Sequence, residues 1–149
     1  MKIAIGCDHA GFKVKQAIIS YLGENGYEYQ DFGTYDESSC DYPDFAEKVA
    51  NAVSVGDFCK GIIVCGTGVG VSIVANKVKG IRCAHCTDTF TAKACREHND
   101  ANVITFGDRI SGLGIILDCV KLFLETEFLG GRHEKRVNKI KEVENKNFK

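Results

Sequence analysis

Residues 60–77 read Lys-Gly-Ile-Ile-Val-Cys-Gly-Thr-Gly-Val-Gly-Val-Ser-Ile-Val-Ala-Asn-Lys. An apolar run of strand length ends at Cys65, glycines follow at 66, 68 and 70, and a helix is predicted beyond them. A strand that passes through a glycine loop into a helix is the repeating unit of an α/β fold. Four other stretches have strand character, at 2–7, 27–32, 81–86 and 102–106. Helical spacing lies between them. Val14, Ile18 and Tyr21 form one stripe, and Phe45, Val49 and Val53 form another with Pro43 near its start. Thr87 or Asp88 suits a cap for a helix running towards His98. Strands alternating with helices imply right-handed crossovers and a parallel sheet. The predicted architecture is a three-layer, Rossmann-like or flavodoxin-like α/β domain over residues 1–149, with five parallel strands in the order 2-1-3-4-5.

Two segments stand apart from that pattern. Residues 113–124, Leu-Gly-Ile-Ile-Leu-Asp-Cys-Val-Lys-Leu-Phe-Leu, are apolar on almost every face, which predicts a second cover such as a subunit interface. After Gly130-Gly131 the chain restarts as a basic C-terminal helix over 131–149, with seven Lys/Arg against three Glu. Val137 and Ile140 share one side of it, and Arg132 and Arg136, four apart, share another.

Composition narrows the function. Nineteen basic and 20 acidic side chains leave a net charge of -1, so no overall field draws the chain to nucleic acid or to a membrane. No apolar run approaches the roughly 20 residues of a membrane span. The eight cysteines fall mostly within apolar runs, and the opening Met-Lys-Ile-Ala-Ile-Gly is too short for a secretory leader. Reduced thiols in a cytoplasmic protein are expected.

The glycine loop does not fit the common nucleotide motifs. Its spacing is G-x-G-x-G after the third strand, whereas a dinucleotide fingerprint needs G-x-G-x-x-G, normally after the first. No Gly-Lys-Ser/Thr follows, and a phosphatase-like Cys-x5-Arg fails because Val71 stands six residues after Cys65 and Lys13 six after Cys7. A receiver domain would place Asp where Cys65 stands. What remains is a cysteine at a strand end, facing backbone amides at the start of a helix. That field favours anions, a thiolate or a nearby oxyanion among them. Glycine lets a ligand come close to the backbone.

Gly6-Cys7-Asp8-His9-Ala10-Gly11 ends the first strand. In the expected order it faces Cys65 across the switch point where α/β folds bind ligands. His98-Asn99-Asp100 precedes the fifth strand, at the opposite edge of the sheet, so His98 reaches such a crevice only from a partner subunit. Taken alone, that turn reads as a helix cap. Arg109, Arg132 and Arg136 suit bidentate phosphate binding, although exposed arginines more often simply stay solvated. Cys83-x-x-Cys86 lies in a predicted strand and lacks the second pair of a zinc site.

Together with Asp-Tyr-Pro at 41–43, Asn-Lys at 76–77, Phe-Gly-Asp-Arg at 106–109 and Gly-Gly-Arg-His at 130–133, these motifs resemble the type B ribose-5-phosphate isomerases. Their wider family includes galactose-6-phosphate isomerase subunits. The resemblance covers nearly the whole chain. It implies homodimers with shared active sites, with pairing of dimers into tetramers left open, a sugar phosphate substrate, and no metal or organic cofactor. By the same resemblance the catalytic residues are Cys65 as the proton-transferring base, His98 for ring opening, and Thr67. Gly66, Thr67, Gly68, Val69 and Gly70 hold the enediolate, with a hydrogen bond from Asn99. Asp8 and His9 contact the sugar phosphate, Tyr42 packs near the sugar, and Arg109, Arg132 and Arg136 bind the phosphate. The implied reaction interconverts ribose 5-phosphate and ribulose 5-phosphate. Isomerisation of a six-carbon sugar phosphate is the alternative, and a non-catalytic flavin- or nucleotide-binding module is the alternative of another class.

Overall fold

The computed structural model describes residues 1–149. Strands and helices alternate as β1 (Lys2–Cys7), α1 (Phe12–Glu24), β2 (Glu28–Asp31), α2 (Tyr42–Ser54), β3 (Lys60–Cys65), α3 (Val69–Ala75), β4 (Cys83–His85), α4 (Thr89–Asn99) and β5 (Val103–Gly107), followed by α5 (Leu113–Glu125) and α6 (Arg132–Asn147). All strand pairs are parallel. Pro43 lies in the first turn of α2, and the Asp88 carboxylate caps α4 by accepting the Thr91 amide at 2.7 Å.

The sheet order is β2-β1-β3-β5-β4, which corrects the expected 2-1-3-4-5. The reason lies in burial. β5, Val-Ile-Thr-Phe-Gly, is buried at every residue and needs a neighbour on each side. β4 has three residues, all half-buried, and suits the short outer edge. The corrected order also decides which face α4 occupies. The chain moves outward from β3 to β4 and back inward to β5. With right-handed crossovers, α3 and α4 must therefore lie on opposite faces.

The core divides accordingly. Val14, Ile18 and Leu22 of α1, Ala92 and Cys95 of α4 and five residues of α5 pack on one face with Ile5, Ile62 and Phe106. Ala46, Val49 and Val53 of α2 and Val71 and Ala75 of α3 pack on the other with Ala4, Ile63 and Val103. Most of the apolar surface of α5 is absorbed here: Ile116, Cys119, Val120, Phe123 and Leu124 are buried, while Leu113 and Ile115 in its first turn stay exposed. α6 buries His133 and Val137. Ile140 is instead about half-exposed along a groove of about 460 Å³ that it lines with Ile81, Ala101, Val143 and Phe148. No helix is long and apolar enough to cross a membrane. All eight cysteines are free thiols, and Cys59 is exposed.

Buried thiols make stability depend on alkali. Burial pushes Cys7 and Cys83 up to about 12 and Cys119 up to about 11, from an ordinary 9.0. Each keeps its proton in the fold where the unfolded chain has lost it. Their contribution is complete below pH 9 and fades as pH rises towards 11 to 12. Lys60 opposes this: burial first, then Arg96, lowers it from 10.5 to about 8, so its cost to the fold is relieved between those values. Three thiols against one ammonium leave about two more protons on the fold than on the unfolded chain, a net loss on the order of 2–3 kcal/mol per pH unit near pH 10. Urea denaturation at pH 8.5 and 10.5 checks this; an equal or higher midpoint at pH 10.5 contradicts it.

Candidate active site

Cys65 is the last residue of β3 and is 5% exposed. Beyond it Gly68 adopts a left-handed conformation, φ +80°, and turns its N–H towards the cysteine, donating to Sγ at 3.1 Å. A side chain at Gly68 would be strained in the backbone and would strike the His85 ring. The Val69 amide donates to Thr67 Oγ1 at 3.2 Å. The loop is locked to the end of β5: Asp108 N donates to Cys65 O and Arg109 N to Gly66 O, at 2.9 and 3.0 Å. Gly107 lies against Thr67 so closely that a Cβ there would come within 2.5 Å of Thr67 backbone atoms.

The corrected strand order brings Arg109 beside this loop. β5 is the direct neighbour of β3, and Cys65 pairs with Gly107. The Arg109 guanidinium consequently lies over Gly66, where a Cβ would be 3.2 Å from its Nη1. On the other flank β1 ends beside Val64, and Asp8 N donates to Val64 O at 3.2 Å. The Asp8 carboxylate accepts the Gly11 amide at 3.1 Å. His9 Nδ1 accepts the Cys40 amide at 3.2 Å, which leaves the proton of the neutral ring on Nε2. Tyr42, at the start of α2, packs its ring on Gly70. The loop carrying Cys40 is anchored by Lys15, whose buried ammonium pairs with Asp31 at 2.8 Å and donates to the Thr34 carbonyl.

The structure thus gathers Asp8, His9, Tyr42, Cys65 to Gly70 and Arg109 at the carboxyl edge of the sheet. His98, Asn99, Arg132 and Arg136 are elsewhere. His98 stands in the last turn of α4, which leads into the amino end of β5, and Cys65 stands level with its carboxyl end. The five residues of β5, at about 3.3 Å each, put roughly 17 Å of sheet between those levels. His98 stacks on His133 of α6 with ring centroids 4.4 Å apart and planes at 15°. Burial, then the charges of His98, Arg132 and Arg136, hold His133 below the ordinary histidine range. Asp100, left-handed at φ 47°, ends α4 and pairs with both Arg82 and Arg96, fixing the turn.

Several contributors escape a reading by sequence alone. Lys15 looks like a surface residue of a helix, and His133 is one more member of a basic segment. His85 and Thr105 beneath the glycine loop lie within strands. Thr105 alone carried a signal, as a polar residue inside a strand otherwise apolar and entirely buried.

An α/β domain with a thiol and a glycine loop at the carboxyl edge of its sheet, and arginine beside them, has the form of a small-molecule enzyme that handles anions. Comparison with known proteins narrows the class. The Ribose/Galactose Isomerase family profile matches residues 3–140. Ribose-5-phosphate isomerase B of Escherichia coli is 46% identical over 96% of both chains. A galactose-6-phosphate isomerase subunit of Clostridium acetobutylicum is 45% identical over 86% of this chain and 74% of its own. The solved ribose-5-phosphate isomerase B of Clostridium thermocellum superposes with a TM-score of 0.96 at 53% identity, over 98% of this chain and 99% of that one. The chain belongs to the ribose/galactose isomerase family.

Proposed function

We propose that this chain interconverts D-ribose 5-phosphate and D-ribulose 5-phosphate, with Cys65 as the base. The observation that carries the reading is the Cys65 sulfur at the end of β3, held by the Gly68 amide, in a loop where the Arg109 guanidinium lies over the next residue, Gly66. Two full-length relatives named ribose-5-phosphate isomerase B support it.

In the aldose-to-ketose direction, the Cys65 thiolate removes the C2 proton of the open-chain sugar. The electrons of that C–H bond form the C1–C2 double bond, and the carbonyl pair moves onto O1. A cis-enediolate results. Amides of Gly66 to Gly70, the Thr67 hydroxyl and Asn99 stabilise its oxygens, and a proton passes from O2 to O1. Cys65 then returns its proton to C1, giving the ketose with no net change in protons. The chemistry removes a weakly acidic C–H, so it needs a well-placed base and strong oxyanion stabilisation together. Asp8 and His9 contact the sugar phosphate and Tyr42 packs on the sugar. Arg109, Arg132 and Arg136 bind the phosphate, and His98 assists opening of the furanose.

This division of roles requires two chains. His98, Asn99, Arg132 and Arg136 lie at the amino edge or on α6, and Cys65 at the carboxyl edge, so a homodimer supplies each site from both subunits. The similarity to a galactose-6-phosphate isomerase subunit favours one second reading, the same chemistry on a six-carbon sugar phosphate. Steady-state assays of the purified protein with ribose 5-phosphate, allose 6-phosphate and galactose 6-phosphate test both. The highest kcat/KM is expected with ribose 5-phosphate. A hexose phosphate turned over faster establishes the second reading, and turnover of none of the three overturns both.

A further inference from the structure

β5 is buried along its whole length, yet Thr105 puts a hydroxyl in it where valine would fill the same space. A buried hydroxyl is unfavourable unless it is hydrogen-bonded. Its partner is the backbone of the glycine loop: Thr105 Oγ1 donates to the Gly68 carbonyl at 2.8 Å. That uses the only hydroxyl proton. His85 Nδ1 lies 3.3 Å from the same oxygen, so it must carry its own proton and donate. A chain of hydrogen bonds therefore runs from the His85 ring through the Thr105 hydroxyl to the Gly68 carbonyl. The His85 ring also packs on Gly68 itself, within 2.5 Å of where a Cβ would stand.

Gly68 is the residue whose amide binds the Cys65 sulfur. Its carbonyl belongs to the next peptide, and the N–H of that peptide is the Val69 amide. Holding the carbonyl fixes the left-handed turn that aims the Gly68 N–H at sulfur. Polarising the carbonyl makes the Val69 N–H a stronger donor, because hydrogen bonds in series reinforce one another.

We propose that Thr105 and His85 are positioning residues for the reaction, acting through the Gly68 peptide on the Cys65 sulfur and on the Val69 amide. The proposal rests on the reading of Cys65 as the base. Neither side chain touches the reacting atoms in this role, and each differs from a packing residue in needing its polar atom.

The near-isosteric Thr105→Val removes only the hydroxyl, and Thr105→Ser keeps it. Two readouts are needed: kcat and KM with ribose 5-phosphate, and the rate at which iodoacetamide alkylates Cys65 at fixed pH, read from its peptide by mass spectrometry. Thr105→Val should lower kcat about 3–10-fold, the effect of one lost hydrogen bond, with KM within about twofold. Alkylation of Cys65 should slow, and Thr105→Ser should restore both values. His85→Phe keeps a ring on Gly68 without the donor and should lower kcat by a smaller factor, so the proposal stays testable if the valine variant folds poorly. Unchanged kcat and alkylation in both Thr105→Val and His85→Phe would overturn it. So would a serine variant as impaired as valine, which would make Thr105 a packing residue only. Alkylation does not depend on the sugar. If the wild-type protein turns over no pentose phosphate, the functional reading fails while the hold on Cys65 is still measured.

Discussion

Replacing Cys65 with alanine is expected to lower turnover of ribose 5-phosphate by at least about 10³-fold, within the range that a positioned acid–base group contributes. The substitution removes the only atom proposed to exchange a proton with the sugar carbons. It leaves the Gly68 turn in place, because Gly68 is also held through its carbonyl by Thr105. It leaves Arg109, Arg132 and Arg136 untouched, so affinity for a sugar phosphate should stay within a few-fold. Calorimetric binding of a phosphorylated, non-isomerising sugar acid alongside the kinetic assay separates the two effects. Near-normal turnover would remove Cys65 from the role of base. Loss of binding together with turnover would show instead that the cysteine holds the loop open for the ligand.

Much of the fold can be read from residue patterns because β1, β3 and β5 are compact apolar runs and the helices between the strands carry apolar stripes, whereas β2, Glu-Tyr-Gln-Asp, is a largely exposed edge. The ends of β1 and β3 are marked by glycines and polar residues that have no place in a strand interior. The order of β4 and β5 is harder, since chain order alone makes them sequential neighbours. Only the contrast between a fully buried Val-Ile-Thr-Phe-Gly and a half-buried Cys-Ala-His shows which one is central. That detail matters for the site. With β5 beside β3, Arg109 lies over Gly66, whereas the sequential order would put β4 between them. The location of His98 is legible for the opposite reason. A residue that ends a helix and precedes a parallel strand must lie at the amino edge, whatever the lateral order.

The supporting residues are illegible because their roles depend on register across strands. His85 pairs with Thr105 across β4 and β5, and both meet Gly68 only when the glycine loop folds back over them. Lys15 illustrates the same limit. One of the two lysines on an amphipathic helix is fully buried, and only the position of Asp31 on the neighbouring strand explains why.

The second large effect concerns the division of the site between chains. His98→Ala should strongly reduce turnover of the furanose form of ribose 5-phosphate, and Cys65→Ala should nearly abolish it. In a dimer that shares its sites, the two variants damage different halves of each site. A hybrid dimer then has one site with both lesions and one with none. With random exchange at equal concentrations, half of the dimers are hybrids and each has one intact site, so about a quarter of wild-type activity should return. Each variant is first unfolded and refolded alone, and then the two are refolded together. Subunit exchange is verified by native mass spectrometry of hybrids carrying different tags. The account predicts activity near one quarter of wild type in the mixture and very little in either variant alone. Verified hybrids with no more activity than their parents would contradict a site built from Cys65 of one subunit and His98 of the other.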